Sequence, residues 1–164
     1  MSEVTCDQTR AISDRIIFDG DMNDKGTLFG GKTLSLLDEN AGLAAFKYTN
    51  AKVVTASYDH MNFWSPITPR DYIRLQSYVT GAAHRAIEVF SKITTYDVAT
   101  KQPIIAFTSF CTMVTLKEFG EVDFDTIVPE TDEEKYLCSG WSERVQERRI
   151  AHQNRHEFLN HLEL

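Results

Sequence analysis

The sequence predicts an α+β fold in which one long apolar helix lies against an antiparallel β-sheet. Three observations carry this expectation. Residues from Gly30 to Tyr48 keep apolar side chains at helical spacing. Several stretches rich in β-branched and aromatic residues follow that run. The links between those stretches are short, which makes sequential strands antiparallel. At 164 residues, with 42% hydrophobic and 25% charged residues, the chain is expected to be one domain with a substantial core.

Each element has its own signal. "RAISDRIIFDGDMN" gives a short strand around Ile12 to Phe18, closed by a loop of Asp, Gly and Asn turn formers. The helix comes next. "KVVTASYDHMNFW" reads as a strand that stops before Pro66, and "SPITPRD" as a turn. "YIRLQSYVT" alternates through Ile73, Leu75, Ser77 and Val79, the period of a half-buried strand. "GAAHR" links it to "AIEVFSKITTYDV", which alternates through Ile87, Val89, Ser91 and Ile93. "ATKQP" turns the chain into a last long strand, "IIAFTSFCTMVTL". From Pro129 the composition becomes charged, sparsely apolar and helix-favouring, opened by a "TDEE" capping box. The expected division is therefore a sheet-and-helix domain over residues 1–128 and a charged helical extension over 129–164, read as a solvated helix packed on a neighbouring surface. A sheet with open edges makes dimerisation expected.

Charge and cysteine usage narrow the function. The net charge of −7 argues against a nucleic-acid partner, which would need a dense Lys/Arg face, but a few local cations would suffice for a phosphate-bearing small ligand. Cys6, Cys111 and Cys138 are remote in sequence and lack metal-ligand spacing, so they read as reduced thiols with no metal. The first residues, "MSEVTCDQTR", have no apolar segment of a signal peptide. No apolar run approaches the roughly 20 residues of a membrane helix. A cytoplasmic protein with no membrane partner is the expectation.

The stretch "DMNDKGTLFGGKTLSLLDENAGLAAF" holds the candidate chemistry. At about 100° per residue, Leu34, Leu37, Ala41, Ala44, Ala45 and Tyr48 share a face, and Asp38 falls inside it. Leu36 and Leu43 lie opposite, so the helix is apolar almost all round and is expected to be wrapped by the sheet. A carboxylate there costs free energy unless it is paired or hydrogen-bonded, and desolvation would tend to raise its pKa, as suits a base. Periodicity alone also permits an interfacial salt bridge, an acceptor for loop amides, or a slightly different helix register. Gly30 and Gly31 stand near the helix N-terminus, where free N–H groups and the positive dipole end favour developing negative charge. Without side chains there, a ligand carbonyl could approach the backbone, the geometry of an oxyanion site.

Taken together, "MNDKGTLFGGKTLSLLDENAG", "VVTASYDHMNFWSPITPRD" and "AIEVFSKI" resemble the hotdog-fold acyl-CoA thioesterases, over about Ser13 to Leu116. The resemblance is greatest to the short-chain bacterial group and to the domains of the mammalian cytosolic long-chain hydrolases. It implies a helix wrapped by an antiparallel sheet, dimers with active sites at the interface, and frequent trimers of dimers (homohexamers). It implies hydrolysis of an acyl-CoA to a carboxylic acid and CoA, without metal or redox cofactor. By the same resemblance Asp38 is the general base or nucleophile. Asn23, supplied by the other subunit, orients water or thioester, and the Gly31 N–H meets the thioester carbonyl. Thr55, Ala56 and Ser57 match the strand that lines the acyl-pantetheine channel, and Glu39 matches a family glutamate of secondary role.

One segment departs from the family. Where relatives often read Gly-Arg-Thr-Ser or Gly-Thr-Thr-Ser, this chain has Ala83, His84, Arg85 and Ala86, in a loop that often contacts CoA. The lost serine alters any contact there, although His84 and Arg85 could still meet phosphate, Arg as a bidentate donor. Two other readings of the same fold remain: a non-catalytic acyl-CoA-binding module, and a thioester hydratase or dehydratase, for which His60 is the strand histidine near the helix. Phe63, Trp64, Phe107 and Met113 are core residues that could also shape an acyl tunnel.

Overall fold

The structure, a computed structural model, describes residues 2–97, 99–116 and 123–163. The chain runs through β1 (Glu3–Thr5), α1 (Cys6–Thr9), β2 (Ala11–Ile16), α2 (Gly30–Thr49), β3 (Val53–Phe63), β4 (Tyr72–Ala83), β5 (Ala86–Tyr96), β6 (Pro103–Thr115), β7 (Thr126–Val128), α3 (Asp132–Ser139), α4 (Trp141–Gln153) and α5 (Arg155–Asn160). Five strands form one antiparallel sheet in the order β2-β4-β5-β6-β3. The sequence did not signal β1 and β7, which pair in parallel as a separate ribbon. Strands of three residues leave too few positions for a periodicity to register.

Helix α2 ends on Asn50, which adopts a left-handed conformation (φ 49°) and donates its N–H to the Phe46 carbonyl at 2.7 Å. Asn tolerates that conformation better than most residues, and the cap satisfies a carbonyl that the helix end would orphan. The buried face of α2 carries Thr33, Leu36, Leu37, Asn40, Ala41, Ala44 and Ala45. It is thus rotated from the expected stripe toward Thr33 and Asn40, which leaves Asp38 at the stripe's edge and exposed. The polar residue inside the stripe is Asn40. Its side-chain amide donates to Ser77 Oγ at 2.9 Å and to the Ala11 carbonyl at 3.2 Å, while its oxygen accepts from Ser13 Oγ at 2.8 Å. Ser77 in turn bonds Ser91 Oγ at 2.8 Å. Every polar atom of that buried amide is partnered, which removes the desolvation penalty.

The two central strands are buried on both faces over residues 77–81 and 87–91, a correction to the half-buried alternation, which holds over 72–76 and 92–95. Ile73, Leu75, Val79, Ile87, Val89 and Ile93 meet α2 or its flanking residues, as their period predicts. The intervening Tyr78, Phe90 and Phe110 pack against Cys6 and, beyond it, Leu137 and Cys138. Helices α1, α3 and α4 therefore cover the outer face, giving a helix–sheet–helix sandwich. Ion pairs hold that cover. Glu88, buried on β5, accepts from Arg144 at 2.7 and 2.9 Å, from Arg148 at 2.6 Å and from the Thr80 hydroxyl at 2.6 Å. Arg148 also reaches Asp59 on β3, and Arg10 pairs with the buried Glu134. Part of the charge in "DEEKYLCSGWSERVQERR" is thus internal, which a charge run alone does not announce.

Candidate active site

Asp38 looks from α2 toward the edge strand β3. Its Oδ1 accepts the Thr55 hydroxyl at 2.6 Å and the Tyr58 hydroxyl at 3.1 Å. Residues three apart point to opposite faces of a regular strand. Here the register slips between Thr55 and Ser57, so Ala56 is the extra residue of a bulge and both hydroxyls turn to the helix. Tyr58 was missing from the sequence-based site because only the bulge brings it there. Burial, reinforced by Cys111 and Asp38, pushes its hydroxyl far above the ordinary tyrosine range, so it remains a donor. Among the described residues no hydrogen bond reaches Asp38 Oδ2, which leaves that oxygen for a water or substrate.

The helix N-terminus supplies amides nearby. Thr33 N–H already bonds the Phe29 carbonyl at 3.0 Å, whereas the N–H groups of Gly30 and Gly31 precede the first intrahelical bond. A Cβ at Gly31 would lie 2.5 Å from the Phe29 ring, so glycine here is required for that ring to lie over the turn. The Phe63 ring approaches Gly30. Phe63 and Trp64 are exposed and, with Thr33, Leu28 and Phe107, line a cavity of about 290 Å³ beside this turn. Phe107 and Met113 are otherwise core residues.

Asn23 is not hydrogen-bonded to Asp38. Its Oδ1 accepts the N–H groups of Lys25 and Thr27, and its Nδ2 donates to Thr27 Oγ1 at 2.9 Å. The side chain thus builds its own loop and keeps one amide hydrogen to offer outward. Glu39 is exposed, 3.5 Å from Arg15, away from Asp38's partners. Ala56 and Ser57 are exposed on the open side of β3.

His84 and Arg85 form the β4–β5 turn, with His84 in the left-handed region at φ 57°. Arg85 turns back to donate to the Thr115 carbonyl. The turn borders a cavity of about 390 Å³ whose other wall is α4, through Trp141, Arg149 and His152. The side chains missed by the sequence reading are Arg149 and His152, remote in the chain from the turn. This cleft lies near Asp38's strand partners: Ala86 pairs with Val114, and Val114 with Val54, next to Thr55. His60 does not face α2. Its Nε2 lies 3.3 Å from Glu147 on α4, and its ring meets Phe110 on the outer face, so the hydratase reading loses its histidine.

Comparison with known proteins agrees with this fold. The model of the thioesterase superfamily matches residues 25–100. A Bacillus subtilis (strain 168) protein named as an uncharacterized acyl-CoA thioester hydrolase, YkhA, is 36% identical over 158 residues, covering 96% of this chain and 92% of that one. An acyl-CoA hydrolase from Staphylococcus aureus, solved in complex with butyryl coenzyme A, coenzyme A and coenzyme A disulfide, superposes with a TM-score of 0.86 at 30% identity, over 96% of this chain and 99% of that one. Variants of that enzyme with an asparagine, an aspartate or a threonine changed to alanine have also been solved. A hexameric apo acyl-CoA thioesterase gives a TM-score of 0.84 at 33% identity, over 92% of this chain and 97% of that one.

Proposed function

The chain belongs to the thioesterase superfamily, and from that premise we propose that it hydrolyses acyl-CoA thioesters to a carboxylic acid and free CoA, as a homo-oligomer. The observation that carries the reading is Asp38, held by two hydroxyls on one oxygen with the other left open. In this reading Oδ2 takes a proton from water as the water attacks the thioester carbonyl. The Gly31 N–H stabilises the developing oxyanion, with Gly30 keeping the approach clear. The carbon–sulfur bond then breaks and the proton passes to the CoA sulfur. Water supplies the second reactant, so the chemistry balances without metal or redox cofactor. Asn23, with one amide hydrogen to spare, orients water or thioester from the neighbouring subunit. Supporting these roles, the asparagine, aspartate and threonine replaced in the Staphylococcus aureus enzyme have the same mutual spacing as Asn23, Asp38 and Thr55.

The acyl-pantetheine arm runs along Thr55, Ala56 and Ser57, on the open side of β3. The nucleotide end reaches the cleft of His84 and Arg85, where Arg149 adds a cation and His152 a ring N–H donor for phosphate. Residues 1–128 thus hold the reacting groups, and 129–164 supply one wall of that cleft. The expected result is release of free thiol from a panel of acyl-CoAs, read with a thiol-trapping dye. An N-acetylcysteamine thioester, which lacks the nucleotide, should show a KM about tenfold or more higher, from the loss of one or more charge-assisted hydrogen bonds. No thiol release from any acyl-CoA, or loss of enoyl-CoA absorbance instead, overturns the proposal.

Assembly follows from the surface of the single chain. Among the described residues strand β3 is a sheet edge, hydrogen-bonded only to β6. Val54, Met61, Phe63 and Trp64 on or next to it are exposed, as are Leu43 and Phe46 on α2. An apolar edge of this kind is stable in water only when covered. We assign it to a dimer formed along β3 and α2, which would bring Asn23 of one subunit to Asp38 of the next, and assign trimers of dimers as the complete particle. Light scattering should give a multiple of the 18.7 kDa chain mass, and an active monomer would sink the shared site. Among the described residues no helix is long and apolar enough to cross a membrane, and we assign the protein to the cytoplasm.

A further inference from the structure

Two of the three cysteines, 132 positions apart, meet on the outer face of the sheet. Cys6 Sγ and Cys138 Sγ lie 3.7 Å apart. We propose that Cys6 and Cys138 are a peroxide-oxidisable dithiol, whose disulfide staples α1 to α3 and fixes the C-terminal helices over the sheet.

The pair is built into the fold. Cys6 opens α1, fully buried against Tyr78, Phe90 and Phe110. A capping box of Thr5 and Gln8 fixes that turn, and the Thr9 hydroxyl ties it to the Cys6 carbonyl and to the Val79 N–H. Cys138 lies in the last turn of α3, which Arg144 holds through the Leu137 carbonyl at 2.7 Å. A disulfide needs a sulfur separation of about 2.05 Å, so the sulfurs must close by a side-chain rotation from 3.7 Å between two anchored helices.

The two thiols have different roles. Cys138 is half-buried and borders a cavity of about 330 Å³ with Gly81, Phe124 and Trp141, which gives a small oxidant a route. The hydrogen bond the two sulfurs share lowers the Cys138 thiol, with burial, Glu134 and Glu88 opposing it and Arg144 assisting, whereas the same hydrogen bond and burial raise the thiol of the fully buried Cys6. The Cys138 thiolate attacks a peroxide oxygen, the O–O bond breaks, and the departing hydroxide takes up the proton the Cys138 thiol had released, leaving as water and forming a sulfenic acid. The Cys6 sulfur then attacks the Cys138 sulfur. The S–S bond forms, the S–O bond breaks, and hydroxide departs with the Cys6 proton as a second water. Two thiols are oxidised and one peroxide is reduced. Cys111 is the internal control, because burial between helix and sheet pushes its thiol up to about 12 and, among the described residues, no second cysteine sulfur is hydrogen-bonded to it.

The experiment uses the full-length protein, reduced, freed of reductant and exposed to hydrogen peroxide. Thiols are then counted by maleimide labelling under denaturing conditions, and disulfides are located by non-reducing peptide mapping. The expected result is a fall from three labelled cysteines to one, a peptide joining Cys6 to Cys138, reversal by dithiothreitol, and a melting temperature about 5 °C or more above the reduced form. Cys111→Ser should fall from two labelled cysteines to none and give the same joined peptide. In Cys6→Ser a cyclic 1,3-diketone should trap a sulfenic acid at Cys138. Retention of all three thiols overturns the proposal. So does a disulfide between copies, or a sulfinic acid at Cys138 with Cys6 still free.

Discussion

Asp38→Ala lowers kcat/KM for an acyl-CoA by about 10²–10⁴-fold, the contribution of a positioned general base. The folded state should be nearly untouched, because Asp38 is exposed in the single chain and its loss strands no buried charge. Thr55→Val and Tyr58→Phe each remove one hydroxyl from Oδ1 and should lower kcat by a smaller factor, with little change in KM. A second arm tests sharing between subunits. Asn23→Ala and Asp38→Ala proteins are each expected to be inactive, but each mixed dimer contains one intact site. Random reassortment should therefore restore about a quarter of wild-type activity. An active Asp38→Ala enzyme removes the proposed base, and a mixture with no recovery removes the shared site.

The groups in this first prediction were unevenly legible in the sequence. Asp38, Asn23 and the glycine pair lie within one short stretch, where helical period and an N-terminal turn could be read directly. The period placed Asp38 inside the apolar face, however, whereas it stands at the edge and Asn40 takes the interior. Both are polar residues two apart, and a stripe that includes either one fits nearly the same apolar set. Tyr58 was beyond reach because a bulge at Ala56 decides which way it points. Arg149 and His152 meet His84 only when α4 folds back over the β4–β5 turn. The preceding helix α3 likewise brings Cys138 to Cys6, a pairing that spacing had set apart. Local periodicity found the helix and the long strands; what covers the outer face is long-range, and its residues read as surface charge until paired.

That cover sets the second large effect. Glu88 is fully buried and accepts from Arg144, Arg148 and Thr80, while both arginines are mostly buried themselves. Glu88→Ala removes the shared anion, strands the Arg144 guanidinium in a low-dielectric layer and leaves Arg148 with Asp59 alone, so the expected loss is about 3–5 kcal/mol of unfolding free energy. Glu88→Gln keeps the volume and one acceptor and should lose less. The exposed pair of Arg74 and Asp14 is the contrast. Hydrogen bonding to Arg74 draws the Asp14 carboxyl down to about 2, so its contribution is present above the ordinary aspartate range and fades as pH falls toward that value. Solvent screens it, and Asp14→Ala should scarcely move the denaturation midpoint. Urea unfolding of the three variants checks the order. Because Arg144 also holds the turn that carries Cys138, Glu88→Ala should loosen α4 first, opening the wall of the basic cleft before the helix-facing core gives way. Hydrogen exchange that instead rises uniformly through α2 and the sheet would mean that the cover and the core unfold as one.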